Sequence, residues 1–185
     1  MSQDDVVRAW QLLPRRIYLD TSTLQALYDY GGVIWEDEAF HPTGRPAKDE
    51  NLEEQLPSLS KIFQVNERAM FEFVTTEATL VEVSDRGQPR YRQWVDDVRD
   101  TWLVQSADSE VPPWGQTFYH RRFGMISRKD RILLQDALDL GCDAFMTMEK
   151  RLPRNAEFIE RMTGLRVMRP TDYWALLEPW AKLYY

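Results

Sequence analysis

Apolar residues recur along this chain with two spacings, and the change from one to the other marks out its elements. Short runs rich in β-branched, aromatic and other bulky apolar residues stand at Ile17-Tyr18-Leu19, at Met70-Phe71-Glu72-Phe73-Val74-Thr75, at Ala144-Phe145-Met146-Thr147-Met148 and at Leu165-Arg166-Val167-Met168. Such runs predict half-buried or buried strands. Between them the period lengthens: Trp94, Val95 and Val98 share one helix face, and Leu133, Leu134 and Ala137 share another. The pattern predicts helices over 6–13, 23–30, 52–68, 76–85, 91–99, 130–140 and 154–163, with a last one from 170 past Trp174 and Leu177. Pro14, Gly31-Gly32, Gly87 with Pro89, Gly141 and Gly164 close these segments. Trp102-Leu103-Val104 reads as a further brief strand.

Strands that alternate with helices imply βαβ units. The expected fold class is therefore α/β, with a central, mostly parallel sheet of about four or five strands flanked by helices. Residues 33–50 and 106–127 carry neither period and are rich in Pro and Gly, so both read as irregular excursions. A length of 185 residues suits one domain with a full core, spanning residues 1–185. A net charge of −7 makes a generic polyanion binder a poor reading, so any nucleic-acid contact needs a local basic patch. The single Cys142 leaves no internal disulfide and suits a reducing compartment. The acidic start Met1-Ser2-Gln3-Asp4-Asp5 is followed by no signal-type apolar core, and no run approaches the roughly 20 apolar residues of a membrane helix. The expectation is a soluble, cytoplasmic protein with no membrane segment.

Four acidic residues fall at comparable places in this scheme. Asp20 ends the first strand, at the start of a helix for which Thr21 to Thr23 are good N-caps. The carboxyl ends of strands form the ligand crevice of open α/β sheets, and a helix start favours negative charge. Glu82 lies in the helix after the second strand, Asp130 opens the helix 130–140, and Glu149 follows the strand 144–148. Asp130 shares the face of Leu133, Leu134 and Ala137 and is expected to turn toward the sheet, whereas Asp136 lies about 120° away and is expected in solvent. Glu82, about 40° from Ala78, falls near the edge of its packed face. Singly, these are ordinary helix-start charges, a solvated helix residue, and a surface partner of Lys150. Jointly they form a set of carboxylates that repel unless a cation neutralises them. All-oxygen sets of this kind suit Mg²⁺ or Mn²⁺ rather than zinc, and such ions activate water and stabilise in-line displacement at phosphorus.

Cationic residues cluster just before the third acidic position, at Arg121-Arg122 and Arg128-Lys129-Asp130-Arg131, with Trp114, Phe118, Tyr119 and Phe123 interleaved upstream. Cations neutralise phosphates and exposed rings stack unpaired bases, but a solvated loop whose aromatics fill the core explains the same pattern, and both readings stay open. Arg86, Arg90 and Arg92 stand on a further stretch that could line the same rim. His41 and His120 are too few and too separated for a zinc site. Asp143 reads as a structural loop residue, and Trp174, Leu177 and Trp180 as core or interface.

At these places the chain resembles the PIN domain family, metal-dependent nucleases that include the toxins of many bacterial toxin–antitoxin pairs. Ile17-Tyr18-Leu19-Asp20-Thr21-Ser22 looks like the family's opening strand, and Thr76-Glu77-Ala78-Thr79-Leu80-Val81-Glu82 resembles its second motif. The run from Asp130 to Gly141 resembles the third, and the run from Cys142 to Leu152 the fourth. The likeness spans about residues 16–177, with longer segments at about 33–68 and 105–128 than in compact members. It implies a three-layer PIN-like fold. It further implies an endoribonuclease acting on single-stranded or structured RNA, with Asp20, Glu82, Asp130 and Glu149 as catalytic and metal-binding residues. Mg²⁺ or Mn²⁺ is the implied cofactor, Ser22 and Thr147 are supporting hydroxyls, and Arg121, Arg122, Arg128, Lys129 and Arg131 are the candidate RNA contacts. The toxin members imply an antitoxin protein and a homodimer as partners.

Three departures matter. The fourth position is Glu149 where the family usually has Asp, the two segments are long, and the overall charge is acidic. They define the alternative, a catalytically weak PIN-fold nucleic-acid-binding or scaffold protein. A phosphatase with an aspartyl nucleophile ranks last, because its second acidic residue is replaced by Ser22.

Overall fold

Strand β1 (Arg16–Leu19) is the axis of the structure, with its three apolar side chains fully buried. The computed structural model describes residues 3–42, 46–69, 71–85, 89–102, 118 and 125–184. On one side β1 pairs with β2 (Glu72–Val74) and on the other with β3 (Ala144–Met146), beyond which lies β4 (Arg166–Met168). The order is β2-β1-β3-β4 and every pairing is parallel. In register, Ile17 stands opposite Phe73 and Ala144, and Tyr18 opposite Val74 and Phe145.

Alternation along the strands divides the apolar residues between two cores. Ile17, Leu19, Phe73, Ala144 and Met146 join one, while Tyr18, Val74, Phe145 and Val167 join the other. The first core is covered by α2 (Thr21–Asp29), α3 (Gly31–Trp35), α4 (Pro46–Asn66), α5 (Glu77–Asp85), α6 (Pro89–Trp102) and α9 (Pro170–Ala181). The second is covered by α7 (Arg128–Asp139) and α8 (Ala156–Thr163). Helix α1 (Gln3–Gln11) leads into β1. The result is a three-layer α/β arrangement. Because helices cover both faces, β1 and β3 read as largely continuous apolar runs, while β2 and β4, at the sheet edges, carry the charged residues Glu72 and Arg166. No described helix is long and apolar enough to cross a membrane.

Three boundaries differ from the sequence pattern. Gly31-Gly32 does not end in coil: α2 stops at Asp29, and the two glycines open α3, which Ile34 anchors in the core. Gly141 and Gly164, with φ of 66° and 78°, are the left-handed residues that do terminate helices. Residues 33–50 are irregular only in part, since α4 begins at Pro46 and runs unbroken past the exposed Pro57 to Asn66. Proline suits the first helical position because its fixed φ is already helical. Leu52, Leu56, Leu59 and Phe63 put the apolar stripe of α4 into the first core, against α9. Trp102 closes α6 rather than opening a strand; its carbonyl accepts the Thr75 N–H at 3.0 Å, and residues 103–104 lie outside the described residues.

Candidate active site at the carboxyl ends of β1 and β3

From β1 the chain moves outward to β2, then returns across to β3 on the opposite side. Such a reversal opens a crevice at the carboxyl ends of the two central strands, where ligands bind in open α/β sheets. Asp20 is the residue after β1 and Thr147 the residue after β3. The Asp20 N–H donates to the Met146 carbonyl at 3.2 Å, which extends the ladder by one step and holds the two ends together.

The Asp20 side chain is itself the N-cap of α2, in place of the expected Thr21 to Thr23: in extended backbone (φ −78°, ψ 172°) it accepts the Thr23 N–H at 2.8 Å. The Thr147 hydroxyl donates to Asp20 Oδ2 at 2.6 Å. The Ser22 hydroxyl lies 2.8 Å from Oδ1 and 2.9 Å from Oδ2, and donates to this carboxylate. Two backbone donors from the turn after β3 hold the hydroxyls in turn: Met148 N–H on Ser22 Oγ at 3.0 Å, and Glu149 N–H on Thr147 Oγ1 at 3.1 Å. The clamp leaves Asp20 only 6% exposed. Burial raises its pKa above the ordinary carboxylate range, against the lowering effect of the bonds from Thr147, Thr23 and Ser22.

Glu82 reaches the same end of the sheet from α5. Its Oε2 accepts the Thr21 hydroxyl at 3.1 Å, one residue from Asp20, and its Oε1 pairs with Lys129 Nζ at 3.2 Å. The lysine side chain is 75% exposed, so this pair contributes only about 0–1 kcal/mol. Asp130 is half-buried in the first turn of α7, where its N–H donates to the N-cap Ser127 Oγ at 3.1 Å. It is the neighbour of Lys129, so β1, α5, α7 and the turn after β3 all deliver residues to one end of the sheet. Glu149 is exposed there, on the rim.

Asp136 is half-buried rather than turned fully into solvent. Its Oδ2 accepts the Thr76 hydroxyl at 2.9 Å, and burial raises its pKa. Tyr18 Oη lies 2.7 Å from both Thr76 Oγ1 and Thr79 Oγ1. With the Thr76 proton committed to Asp136, the order must run Thr79 to Tyr18 to Thr76 to Asp136. Helical spacing placed Asp136 away from the face of Leu133 and Leu134, but Thr76, the residue before α5, meets it on that side. Asp143 is a loop clamp, its Oδ2 accepting the Arg15 and Arg16 N–H groups at 2.9 and 3.0 Å.

Of the basic and aromatic stretch, Arg128 is exposed and Arg131 half-buried, and both flank the start of α7 with Lys129. Phe118 is 2% exposed in the second core, with its N–H on Gln135 Oε1 at 3.0 Å; it fills space and offers no face to a base. Trp114, Tyr119, Arg121, Arg122, Phe123 and Arg86 lie outside the described residues, as do the side chains of Arg90 and Arg92.

The chemistry of the donors suits a hard divalent cation, since the cluster offers carboxylate and hydroxyl oxygens and no imidazole or thiolate. A buried, desolvated Asp20 and a Glu82 that already attracts an ammonium both favour added positive charge. In this arrangement, however, no three acidic, His or Cys groups among the described residues stand together closely enough to hold an ion. Lys129 would leave Glu82 before an ion could take its place.

Several contacts lay beyond sequence reasoning. Thr21, beside Asp20, and Ser127, three residues before Asp130, carried a weak signal as hydroxyls near acidic residues. Asn51, whose Nδ2 donates to the Met148 carbonyl at 2.7 Å across 97 positions, carried none. No family model, curated protein or solved structure matches the chain.

Proposed function

We propose that this protein is a metal-dependent endoribonuclease of the PIN type that hydrolyses phosphodiester bonds in RNA. The observation that carries this reading is the buried Asp20 carboxylate at the β1/β3 crevice, gripped by Ser22 and Thr147, with Glu82 tied to the adjacent Thr21. Asp20, Glu82 and Asp130 would hold Mg²⁺ or Mn²⁺, with Glu149 on the rim. A bound ion would supply an activated water and neutralise the charge that develops at phosphorus. The rest of the work falls to the chain. Ser22 and Thr147 fix the rotamer of Asp20, and the turn after β3 fixes both hydroxyls. Lys129 would exchange Glu82 for a phosphate, and Arg128 and Arg131 would add charge along the same edge.

The proposal extends to cytoplasmic action as a toxin held by an antitoxin protein and to a homodimer. Co-purification with a neighbouring gene product and sedimentation would test these two extensions. The ion pair of Lys129 with Glu82 favours a second reading, a catalytically weak nucleic-acid-binding or scaffold protein.

Purified protein incubated with mixed single-stranded RNAs in Mn²⁺, in Mg²⁺ and in chelator separates the two readings, with Asp20→Asn beside it. Cleavage that disappears in chelator and in the variant supports the nuclease. RNA binding without cleavage, unchanged in the variant, supports the scaffold and overturns it.

A further inference from the structure

We infer that Asn51 is a positioning residue for the Asp20 clamp: through a single peptide plane it fixes the Thr147 hydroxyl on the Asp20 carboxylate. This assignment rests on the reading of Asp20 as the centre of a nuclease site, and it adds α4 to the segments that shape that centre. Asn51 Nδ2 donates to the Met148 carbonyl at 2.7 Å. That carbonyl belongs to the peptide unit between Met148 and Glu149, which is planar and trans. In a trans unit the C=O and the N–H point in opposite directions. Holding the carbonyl on α4 therefore turns the Glu149 N–H away from α4, where it donates to Thr147 Oγ1 at 3.1 Å. A threonine hydroxyl has one proton to give. With Glu149 occupying an acceptor position on Oγ1, that proton goes to Asp20 Oδ2 at 2.6 Å.

Packing alone does not account for an asparagine here. Asn51 is buried, and its Oδ1 has no hydrogen-bond partner among the described residues. A buried polar atom left in that state is unfavourable, and an apolar residue of the same shape avoids it. What the amide supplies is its N–H group, which the Met148 carbonyl, able only to accept, also orients. Gln55, one turn further along α4 and equally buried, shows the contrast. Its Oε1 accepts the Thr171 N–H at 3.1 Å and its Nε2 donates to Thr171 Oγ1 at 3.1 Å. That amide is bonded at both ends and ties α4 to the start of α9, away from the turn after β3.

Hydrogen exchange on the full-length, ¹⁵N-labelled protein in chelator reads this linkage without any metal. In the unaltered protein the Asn51 NH₂ and the Glu149 N–H should show matching protection, since one peptide plane carries both bonds. An unprotected Glu149 N–H overturns the inference, whatever the variants do. Asn51→Leu keeps the bulk and removes the donor, and Asn51→Asp sets an acceptor against the Met148 carbonyl. Each should speed Glu149 exchange about tenfold, the size of one lost hydrogen bond. Gln55→Leu should lower the melting temperature and leave Glu149 exchange unchanged; equal acceleration there overturns the inference. The second arm is Mn²⁺ calorimetry. Asn51→Leu should weaken binding about tenfold, and should weaken it no further when added to Thr147→Val, where the path is already broken. Effects that multiply in the double variant overturn the inference and leave the nuclease reading intact. An unaltered protein that binds no Mn²⁺ overturns the nuclease reading, and the exchange rates still decide the role of Asn51.

Discussion

Two carboxylates of this protein sit among hydroxyl groups, Asp20 at the ends of β1 and β3 and Asp136 on α7. Both have pKa values raised by burial, and both accept from threonine. Their surroundings differ in shape. Around Asp136 the hydroxyls form a single file from Thr79 through Tyr18 and Thr76, inside helix and strand packing, with the Tyr18 ring stacked on Phe145 at 5.3 Å. Around Asp20 the donors converge from α2 and from the turn after β3, and Glu82 approaches from α5. A raised pKa therefore does not separate a candidate site from a buried structural network. Convergence of several chain segments at a strand-order reversal does.

The sharpest way to break this comparison is to remove each charge. Asp20→Asn is expected to lower RNA cleavage by about three orders of magnitude, whereas Asp136→Asn should stay within about threefold, measured as initial rates in Mn²⁺. Chelation of the unaltered protein should match the Asp20→Asn loss, and added Mn²⁺ should restore it. A smaller effect is expected from the clamp. Thr147→Val removes the donor and keeps the shape, and should cost about 10–100-fold in rate, as for other groups that orient a ligand.

Stability should move the opposite way from activity. The folded pKa of Asp20 lies above the unfolded value of about 3.9, so the protonated form is the one that folding favours. Its contribution is complete below about pH 4 and is lost as pH rises through the folded pKa. Asp20→Asn is neutral at every pH. Thermal unfolding of variant and wild type should therefore nearly coincide near pH 4, and the variant should gain by up to about 1.4 kcal/mol per pH unit until the folded pKa is passed. Asp136→Asn should show the same sign. The smallest effect belongs to Lys129→Ala: less than about 1 kcal/mol in stability, several-fold tighter Mn²⁺ binding by calorimetry, and a salt slope for RNA binding reduced by about one.

Much of this architecture was legible one-dimensionally. The four apolar runs became the four strands, because strands covered by helices on both faces are apolar over most of their length. Asp20 was legible because it follows directly on a strand whose end meets a crevice, while Ser22 and Thr147 were named only through the family resemblance. Helix α4 was harder, since its first turns are polar and its stripe shows only against α9.

By itself, then, the sequence determined the class of fold, the places where its strands end and the oxygen-rich chemistry found there, since these depend on local composition and period. Only the tertiary structure decided which polar residues meet. Helical phase says which way Asp136 points on its own helix, but not that Thr76 lies across from it. Nothing near position 51 announces the Met148 carbonyl 97 residues away. Burial is a property of the surroundings, and a side chain's surroundings come from other parts of the chain.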